Sequence, residues 1–280
     1  MIRQLVCGEF RFDLDRPLIM GVVNITPDSF SDGGDFIDPV RAIAFAERLV
    51  AQGADLIDIG GESTRPGAEL VTLETERSRV LPVLTELVKM SIPVSVDTNK
   101  LALMQEVADQ GACMINDITG VANQETARLI ATKNIGVCVM HMKGVPKDMQ
   151  DAPTYDDVVA DVQRFLADRV NVLVNAGVSR ESIVIDPGFG FGKTIDHNLT
   201  LLNNLEKIRV DGLPVLVGLS RKSMLGHITG KTDPKDRLGA SISSAVLAAI
   251  RGADIIRVHD VNETKDALLI WRELERHVQV

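Results

Sequence analysis

Short apolar runs alternate along the chain with longer segments in which hydrophobic residues recur at helical spacing. Four of these runs follow a glycine and end at a polar residue, in the segments 53–58 (GADLID), 111–116 (GACMIN), 136–141 (GVCVMH) and 252–257 (GADIIR). Glycine suits the left-handed residue just past a helix end. An apolar run without alternation is typical of a parallel strand that is covered on both faces. The pattern therefore predicts repeated helix–strand units.

Eight apolar runs of this kind follow one another. They predict strands at 18–24, 55–60, 92–97, 113–117, 136–141, 183–186, 214–220 and 254–259. Helical periodicity lies between or after them, for instance at 39–52, 72–90, 155–175, 238–251 and 262–277. Eight strand–helix alternations in 280 residues favour an α/β fold, a single (β/α)8 TIM barrel. An open, doubly wound sheet is the alternative.

The segment that precedes the first run, LVCGEFRFDL (5–14), predicts a β-hairpin that closes the bottom of the barrel. No Pro/Ser-rich linker suggests a second domain. We therefore expect one domain over residues 1–280, with the hairpin in 1–17 and the barrel in 18–280.

Composition narrows the class of protein. A formal charge of −9, from 30 basic and 39 acidic residues, argues against nucleic acid as the main partner. The chain has no apolar run of 18 residues and no signal peptide, so we expect a soluble, intracellular protein. Cys7, Cys113 and Cys138 lack C-x-x-C spacing and predict inert thiols in a reducing compartment.

Polar residues stand at the carboxyl ends of the predicted strands, which is where catalysis takes place in a TIM barrel. They are Asn24, Glu62, Thr64, Asp97, Asn116, His141, Asp186, Ser220, Lys222, Arg257 and His259. For each one alone, a helix-capping role is an equal alternative, because Asp and Asn often cap the next helix. The barrel would nevertheless bring the whole set together at one mouth.

Two kinds of ligand chemistry follow from these side chains. Carboxylates such as Asp97 and Asp186 accept two parallel hydrogen bonds from a flat heterocycle with adjacent N–H donors. The amide of Asn116 matches mixed donors and acceptors on the same edge. These three residues predict a site for a heterocycle such as one with a 2-amino-4-oxo-pyrimidine edge.

A second group suits phosphate. Arg257 offers a planar fork for phosphate oxygens, and His259 offers a further donor. The neutral oxygen of Asn24 is a candidate ligand for Mg²⁺. The sequence has no H-E-x-x-H, no G-x-S-x-G and no metal-spaced His/Cys cluster, so zinc hydrolysis and a serine triad find no support.

The stretch DPGFGFGKT (186–194) ends like a nucleotide-binding phosphate loop. That loop requires a glycine five residues before Gly192, where this chain has Pro187. Proline fixes φ and removes an N–H. We therefore interpret the stretch as the turn after the sixth barrel strand, with Asp186 in the heterocycle site and Lys193 at the helix entry or the surface.

Taken in order, the strand-end motifs resemble those of the dihydropteroate synthases of bacterial folate synthesis, which are pterin-binding TIM barrels. The matching blocks cover nearly the whole chain: GVVNITPDSFSDGG (21–34), DIGGESTRPGA (58–68), SVDT (95–98), IND (115–117), MHM (140–142), DPGFGFGK (186–193), GLSRKS (218–223) and RVHD (257–260). The resemblance implies a transferase in which para-aminobenzoate displaces diphosphate from 6-hydroxymethyl-7,8-dihydropterin diphosphate, giving 7,8-dihydropteroate. It also implies Mg²⁺, sulfonamide inhibition and a cytoplasmic homodimer.

The resemblance assigns roles residue by residue. Pterin binding falls to Asp97, Asn116, Asp186 and Lys222. Diphosphate and its Mg²⁺ fall to Asn24, Arg257 and His259. The aminobenzoate site falls to Phe30, Thr64, Arg65, Pro66, Phe191 and Ser220. We expect Asp32, Arg65 and Lys222 to act at the reacting centre, with Asp32 stabilising a developing pterin cation.

Two other functions stay open. A methyltransferase that uses a reduced folate would share the Asp97, Asn116 and Asp186 part, but it has no diphosphate to hold. A non-catalytic pterin-binding protein would have lost Lys222 or Arg257, and both are present. Trp271 on the last predicted helix marks either a dimer surface or, as we favour, the ordinary core.

Overall fold

Each predicted run contains a strand in the computed structural model, which describes residues 3–26, 38–63, 68, 70–145 and 149–278. Eight parallel strands form the main sheet: β3 Leu18–Asn24, β4 Leu56–Gly60, β5 Val94–Asp97, β6 Met114–Asp117, β7 Gly136–Met140, β8 Ile183–Asp186, β9 Leu216–Val217 and β10 Ile255–Val258. The predicted strands are confirmed, and several are shorter than their apolar runs. The largest difference is β9, which keeps two residues of the run 214–220.

The sheet closes on itself. The strand order is β8-β7-β6-β5-β4-β3-β10-β9, and a parallel bridge between Ile185 and Val215 joins the two ends. The amide of Ile185 also donates to Pro214 O at 3.0 Å. The predicted barrel is therefore confirmed, and the alternative of an open, doubly wound sheet is wrong.

Helices surround the barrel and follow its strands. They are α1 Pro39–Gln52, α2 Leu73–Lys89, α3 Leu101–Asp109, α4 Gln124–Lys133, α5 Val158–Asn175, α6 Ile195–Asn203, α7 Leu205–Ile208, α8 Ser223–Thr229, α9 Leu238–Ile250 and α10 Val261–Val278. The five helices predicted from periodicity are confirmed within three residues at each end. None of the helices in the described part of the chain is both long and apolar enough to span a membrane.

Glycines end several helices as the sequence predicts. Gly53 follows α1 with φ of 106°, and its N–H bonds back to carbonyls of the last turn. Gly111 and Gly252 also have positive φ. Left-handed backbone of this kind favours glycine, because other residues place Cβ too close to the chain.

The fourth glycine of the pattern has a different role. Gly136 is the first residue of β7, and the left-handed residue after α4 is Asn134, with φ of 52°. A Cβ at position 136 would lie 2.6 Å from Cys7 Sγ. The interpretation of Gly136 as a helix-capping residue is therefore wrong, and close packing of the amino-terminal hairpin explains the glycine.

That hairpin consists of β1 Gln4–Cys7 and β2 Phe10–Asp13, which pair antiparallel as predicted. Leu5 and Cys7 of β1 are fully buried, and they pack on inward-facing residues near the amino ends of the barrel strands. This inner cluster also contains Leu18, Met20, Leu56, Cys113, Met114, Cys138, Val184, Leu216 and Ile255. The hairpin thus closes the amino-terminal end of the barrel.

All three cysteines belong to this inner cluster, where they are free and buried. Burial raises the pKa of Cys113 to about 12, so this thiol stays protonated at neutral pH. Burial likewise raises the pKa of Cys7 and of Cys138. These environments agree with the prediction of inert thiols.

Alternate residues of each strand face the two sides of the barrel wall. In β4, Ile57 and Ile59 pack outward against the helices, whereas Leu56 belongs to the inner cluster. The same alternation places Asp58 inside. The barrel interior is therefore apolar in its amino-terminal half and polar toward the carboxyl ends of the strands.

Candidate active site at the carboxyl end of the barrel

Inward-facing polar side chains from five strands meet in the carboxyl half of the barrel. They are Asp58 of β4, Asp97 of β5, Asn116 of β6, Asp186 of β8 and Arg257 of β10. Parallel strands in one register bring residues from distant sequence positions to a common level, since Asp97 pairs with both Gly60 and Asn116. The expected convergence of Asp97, Asn116, Asp186 and Arg257 is therefore observed.

Arg257 lies at the centre of this group. Its Nε donates to Asp58 Oδ2 at 2.7 Å, and its second terminal nitrogen donates to Asp97 Oδ2 at 3.3 Å. Asn116 Nδ2 donates to the same Asp58 oxygen at 3.2 Å. One guanidinium thus holds two carboxylates of the barrel interior, in a setting where charges need partners.

The carboxylates are crowded enough to affect one another. Burial raises the pKa of Asp97 to about 7, and the negative charge of Asp58 acts in the same direction. Arg257 opposes both effects. A buried carboxylate with a pKa near neutrality is common at functional sites, where burial and neighbouring like charges shift pKa values.

Asp186 and Lys222 form the second charged part of the site. Asp186 Oδ1 accepts from Gly188 N at 2.7 Å, which fixes the first turn of the following loop. Burial raises the pKa of Asp186, and Lys222 acts in the opposite direction. Burial also lowers the pKa of Lys222 to about 8, against the opposing effect of Asp186.

Lys222 is held over the loop that follows β8. Its Nζ donates to Phe189 O and lies 4.6 Å from the centre of the Phe191 ring. Phe189 is fully buried, whereas Phe191 is half-buried. A cation over an aromatic face is favourable. Lys222 and Phe191, which the sequence assigns separately to the pterin site and the aminobenzoate site, are therefore in direct contact.

The segments 218–223 and 257–260 are joined at two points. Ser220 Oγ accepts from His259 N at 3.2 Å and lies 3.0 Å from His259 Nδ1. Arg221 forms an ion pair with Asp260 and has φ of 59°, a conformation that is uncommon for a residue with a side chain. These contacts hold the turn that positions Lys222.

Lys193 is buried, so its predicted place at the surface is wrong, although it does lie next to Thr194, the cap of α6. Its Nζ lies 2.9 Å from His141 Nδ1, 2.9 Å from Gly188 O and 3.0 Å from Phe191 O. The amino group of Lys193 thus binds carbonyl groups on the inner side of the loop after β8. A phosphate-loop lysine must face a nucleotide, so this geometry agrees with the interpretation of 186–194 as a strand-end turn.

His141 and Glu62 were both expected at the mouth. His141 is instead buried against Lys193 and Phe165. The imidazole and the Phe165 ring are nearly perpendicular, and their centres lie 4.9 Å apart. Glu62 pairs with Lys100, which also binds the fully buried Glu76 at 2.6 Å. Both residues therefore act in holding the loops around the site.

Asn24, the expected Mg²⁺ ligand, ends β3 and is half-buried at the mouth. Among the described residues, no group of three or more His, Cys, Asp or Glu side chains is arranged to hold a metal ion. Mg²⁺ commonly binds through one or two protein oxygens together with substrate phosphates and water. A single amide oxygen at the mouth fits that kind of metal site.

Five expected site residues lie outside the described residues. They are Phe30, Asp32, Thr64, Arg65 and Pro66.

Sequence reasoning missed two residues that the site contains. Asp58 was detectable as a charged residue inside the apolar strand LIDIG, where a carboxylate requires a partner. Lys193 offered no such signal, because it lies in a glycine-rich turn that suggests exposure.

Comparison with known proteins gives a consistent picture over nearly the whole chain. The family model of the pterin binding enzymes matches residues 20–259. The dihydropteroate synthase of Neisseria meningitidis serogroup C is 46% identical over 271 residues, which cover 95% of this chain and 96% of that protein.

Solved structures agree with the sequence comparison. Burkholderia cenocepacia dihydropteroate synthase, complexed with 7,8-dihydropteroate, superposes with a TM-score of 0.90 at 45% identity, covering 99% of this chain and 98% of that one. Yersinia pestis dihydropteroate synthase, in a sulfonamide drug complex, superposes with a TM-score of 0.92 at 44% identity, covering 98% and 99%. The similarity thus extends over nearly the whole of the chain.

Proposed function

The chain belongs to the pterin-binding enzyme family as one of the dihydropteroate synthases, and from this membership we propose how its side chains divide the reaction. The enzyme is a transferase that condenses 6-hydroxymethyl-7,8-dihydropterin diphosphate with para-aminobenzoate to 7,8-dihydropteroate and diphosphate. The observation that carries this function is the meeting of Asp97, Asn116, Asp186 and Lys222 with Arg257 inside one barrel mouth. A decayed, non-catalytic site would lack part of this set.

The pterin is bound by the carboxylates and the amide. Asp186 accepts from adjacent N–H groups of the heterocycle, and Lys222 stays beside it as the compensating charge. Asn116 uses an N–H internally on Asp58, which leaves its carbonyl oxygen as an acceptor for the ligand. Asp97, with its raised pKa, completes the acceptor set in its ionised form. Charge-assisted hydrogen bonds of this kind are the strong ones.

The diphosphate is bound by Asn24, Arg257 and His259. Arg257 donates from Nε to Asp58 and from Nη2 to Asp97, and among the described residues no hydrogen bond from Nη1 is found. That third nitrogen is suited to a phosphate oxygen. Asn24 would hold Mg²⁺ at the mouth. When bound, Mg²⁺ supplies positive charge that stabilises the leaving diphosphate.

The reaction needs little proton transfer before attack. The amine of para-aminobenzoate is neutral at pH 7, so the barrier lies in breaking the C–O bond to diphosphate. Arg257 and His259 stabilise negative charge that grows on the leaving group, as fixed dipoles and charges do in enzyme sites. Phe191 and Ser220 border the aminobenzoate site, where sulfonamides compete. The roles of Phe30, Asp32, Thr64, Arg65 and Pro66 are those that the resemblance implies.

The protein acts as a homodimer in the cytoplasm. An apolar groove of about 400 Å³ lies between α6, α8 and α9, and Leu225, Ile228 and Leu247 contribute to its lining. Ile228 and Leu247 are 54% and 43% exposed, which is unfavourable for side chains of this kind in water. A second copy would cover them. Three free, buried thiols suit a reducing compartment.

A coupled assay tests the function. Purified protein with Mg²⁺, pterin diphosphate and para-aminobenzoate should release diphosphate and form dihydropteroate, and omission of para-aminobenzoate should stop both. Sulfonamides should raise the apparent KM for para-aminobenzoate. Methyl transfer from a methylated folate without diphosphate release would contradict the proposal.

A further inference from the structure

Asp58 lies in the middle of β4 with no exposed surface. Its register neighbours are Val22 of β3 and Ser95 of β5, and its own strand places Ile57 and Ile59 on the opposite face of the barrel wall. A carboxylate in such a place is costly unless it is ionised against a cation and hydrogen-bonded. A purely structural position in this layer would be better filled by an apolar residue.

One oxygen of Asp58 serves two partners. Oδ2 accepts from Arg257 Nε at 2.7 Å and from Asn116 Nδ2 at 3.2 Å. No hydrogen-bond partner of Oδ1 is found within the described part of the chain. The two donors come from β10 and β6, which lie on either side of β4 with one strand between in each direction. Asp58 thus connects side chains that are 58 and 199 residues away in sequence.

This connection determines which atoms face a ligand. An ionised carboxylate only accepts hydrogen bonds, so the Asn116 amide must turn its NH2 group toward Asp58. The carbonyl oxygen of Asn116 is then left to accept from an N–H of the ligand. Likewise, fixing Nε of Arg257 sets the plane of the guanidinium and the position of its terminal nitrogens.

We propose that Asp58 is a positioning residue of the pterin site, which orients the Asn116 amide and the Arg257 guanidinium through one shared carboxylate oxygen. The assignment rests on the proposed function, because it concerns how residues of that site meet the pterin. Residues behind a first layer of ligands commonly act in this way, and their loss costs about 10- to 100-fold in affinity or activity at metal sites.

The charge of Asp58 also acts on Asp97. The charged groups around Asp97 are Asp58, Arg257, Glu76, Asp117 and Lys222. Burial is the largest cause of the raised pKa of Asp97, near 7, and Asp58 is the next. Removing the charge at position 58 should therefore lower the pKa of Asp97. If Asp97 accepts from the pterin in its ionised form, pterin affinity should rise as the pH increases through the pKa of Asp97. In a variant without the charge at position 58, this rise should occur at lower pH.

Two substitutions separate orientation from charge. Asp58→Asn keeps an oxygen that accepts from both partners but removes the charge, whereas Asp58→Ala removes both. The control is Ser95→Ala, since Ser95 is the buried register neighbour and its Oγ has no hydrogen-bond partner in the described chain. The probe is the pterin alcohol, 6-hydroxymethyl-7,8-dihydropterin, in calorimetry between pH 5.5 and 8.5 (a range of about one to two pH units around the pKa).

Asp58→Ala should weaken binding of the pterin alcohol about 10- to 100-fold at pH 8. Asp58→Asn should stay within about threefold of the wild type at that pH, because orientation is kept. Ser95→Ala should bind like the wild type. Carboxyl ¹³C NMR of the ligand-free proteins measures the titration of Asp97. Its midpoint in Asp58→Asn should lie about one pH unit or more below that of the wild type.

Equal pterin affinity of folded Asp58→Ala and the wild type would overturn the assignment. If Asp58→Ala does not fold, Asp58→Asn alone decides. A titration midpoint of Asp97 that stays near 7 in this variant overturns the electrostatic part. A pterin affinity as poor as that of an Asn116→Ala variant overturns the orientation part. Failure of the wild type to bind pterin would contradict the proposed function itself, and the two failures are therefore distinguishable.

Discussion

Lys193 Nζ lies 2.9 Å from His141 Nδ1, so the loop after β8 is attached to the end of β7 through two buried side chains. Burial lowers the pKa of His141 to about 3, and the charge of Lys193 acts in the same direction. The imidazole is therefore neutral at physiological pH and accepts at Nδ1. The Lys193 amino group also donates to Gly188 O and Phe191 O, so one lysine shapes the turn that carries Asp186 and Phe191 toward the site.

This arrangement predicts different consequences for the two lysines of the site region. Lys222→Ala should lower kcat/KM at least about 100-fold, the scale for loss of a charged group at a reacting centre. Its effect on the melting temperature should be the smaller of the two, because only Phe189 O loses its donor. Lys193→Ala leaves buried carbonyls without a donor, which costs about 1–3 kcal/mol for each group left unsatisfied, and should chiefly lower the melting temperature.

Thermal melts and steady-state kinetics on both variants test this contrast. Lys193→Ala should retain clearly more activity than Lys222→Ala when assayed well below its melting temperature. A Lys193→Ala protein that is fully stable but inactive would place Lys193 at the chemistry instead. ATP binding that disappears in Lys193→Ala would revive the phosphate-loop interpretation.

His141 gives a prediction for pH and stability. Its folded pKa of about 3 is below the unfolded value of about 6.5, so between these values the unfolded chain binds more protons. The free energy of unfolding should therefore rise with pH from about 3 to 6.5, and His141 should contribute nothing further above that range. His141→Gln should reduce the slope of the free energy of unfolding against pH, by an amount equivalent to at most one bound proton.

Urea unfolding of the wild type and His141→Gln at several values of pH between 4 and 7 measures this slope (a window between the folded and unfolded pKa values, about 3 and 6.5). His197→Gln is the control, because that histidine is near the surface and takes part in capping α6. Identical slopes for the wild type and His141→Gln would show that His141 is not the group that titrates.

The sequence predicts the barrel well, because its parallel strands are covered on both faces and so appear as uninterrupted apolar runs. The run 18–24 coincides with β3, and the segment 39–52 coincides with α1. The strand ends also predict which polar residues meet, since Asp97, Asn116 and Asp186 follow from strand order alone.

The sequence does not show which buried side chains support those residues. Asp58 and Lys193 are bound by partners that are 199 and 52 residues away, and no local pattern encodes such distances. Gly136 shows the same limit, because its glycine serves the packing of Cys7 from the hairpin and not a helix end. Pairwise tertiary contacts of this kind depend on the folded geometry.

Asp186 provides a direct test of pterin recognition. Asp186→Asn keeps the shape but replaces one acceptor oxygen with a donor, so one hydrogen bond is lost and one donor is mismatched. Pterin binding should weaken by about 2–4 kcal/mol, roughly 30- to 1000-fold. The remaining amide oxygen should still accept from Gly188 N, so the melting temperature should stay near that of the wild type.

Calorimetry with the pterin alcohol and a thermal melt together decide between ligand binding and loop capping. A lower melting temperature with unchanged pterin affinity in the folded fraction would assign Asp186 to the loop turn alone. Asp97→Asn should behave like Asp186→Asn, because Asp97 is expected to accept from the same ligand.

Arg257 tests the diphosphate site. Arg257→Ala should weaken binding of pterin diphosphate far more than binding of the pterin alcohol, which lacks the phosphates. Some loss for the alcohol is expected as well, because Asp58 and Asp97 would lose their shared cation. His259→Ala should show the same preference more mildly, since His259 is held by Ser220 at the edge of the site. Equal losses for the two ligands in calorimetry would remove both residues from the diphosphate site.

The apolar groove between α6, α8 and α9 predicts the association state. Leu247 is 43% exposed on α9, so Leu247→Glu should leave the fold of a single copy intact. In a dimer the same change would bury a carboxylate in an apolar interface without a cation, which is strongly unfavourable. The wild type should therefore sediment as a dimer, and Leu247→Glu as a monomer with an unchanged melting transition for the isolated barrel.

Leu274→Glu is the matched control, because Leu274 is an equally large side chain, 63% exposed, on α10 outside the groove. Its charge should not change sedimentation, because it meets water in both states. A monomer for Leu274→Glu and a dimer for Leu247→Glu would move the interface to the last helix. That outcome would also reopen the assignment of Trp271, which packs against the hydrophobic core and is only partly exposed on the same helix.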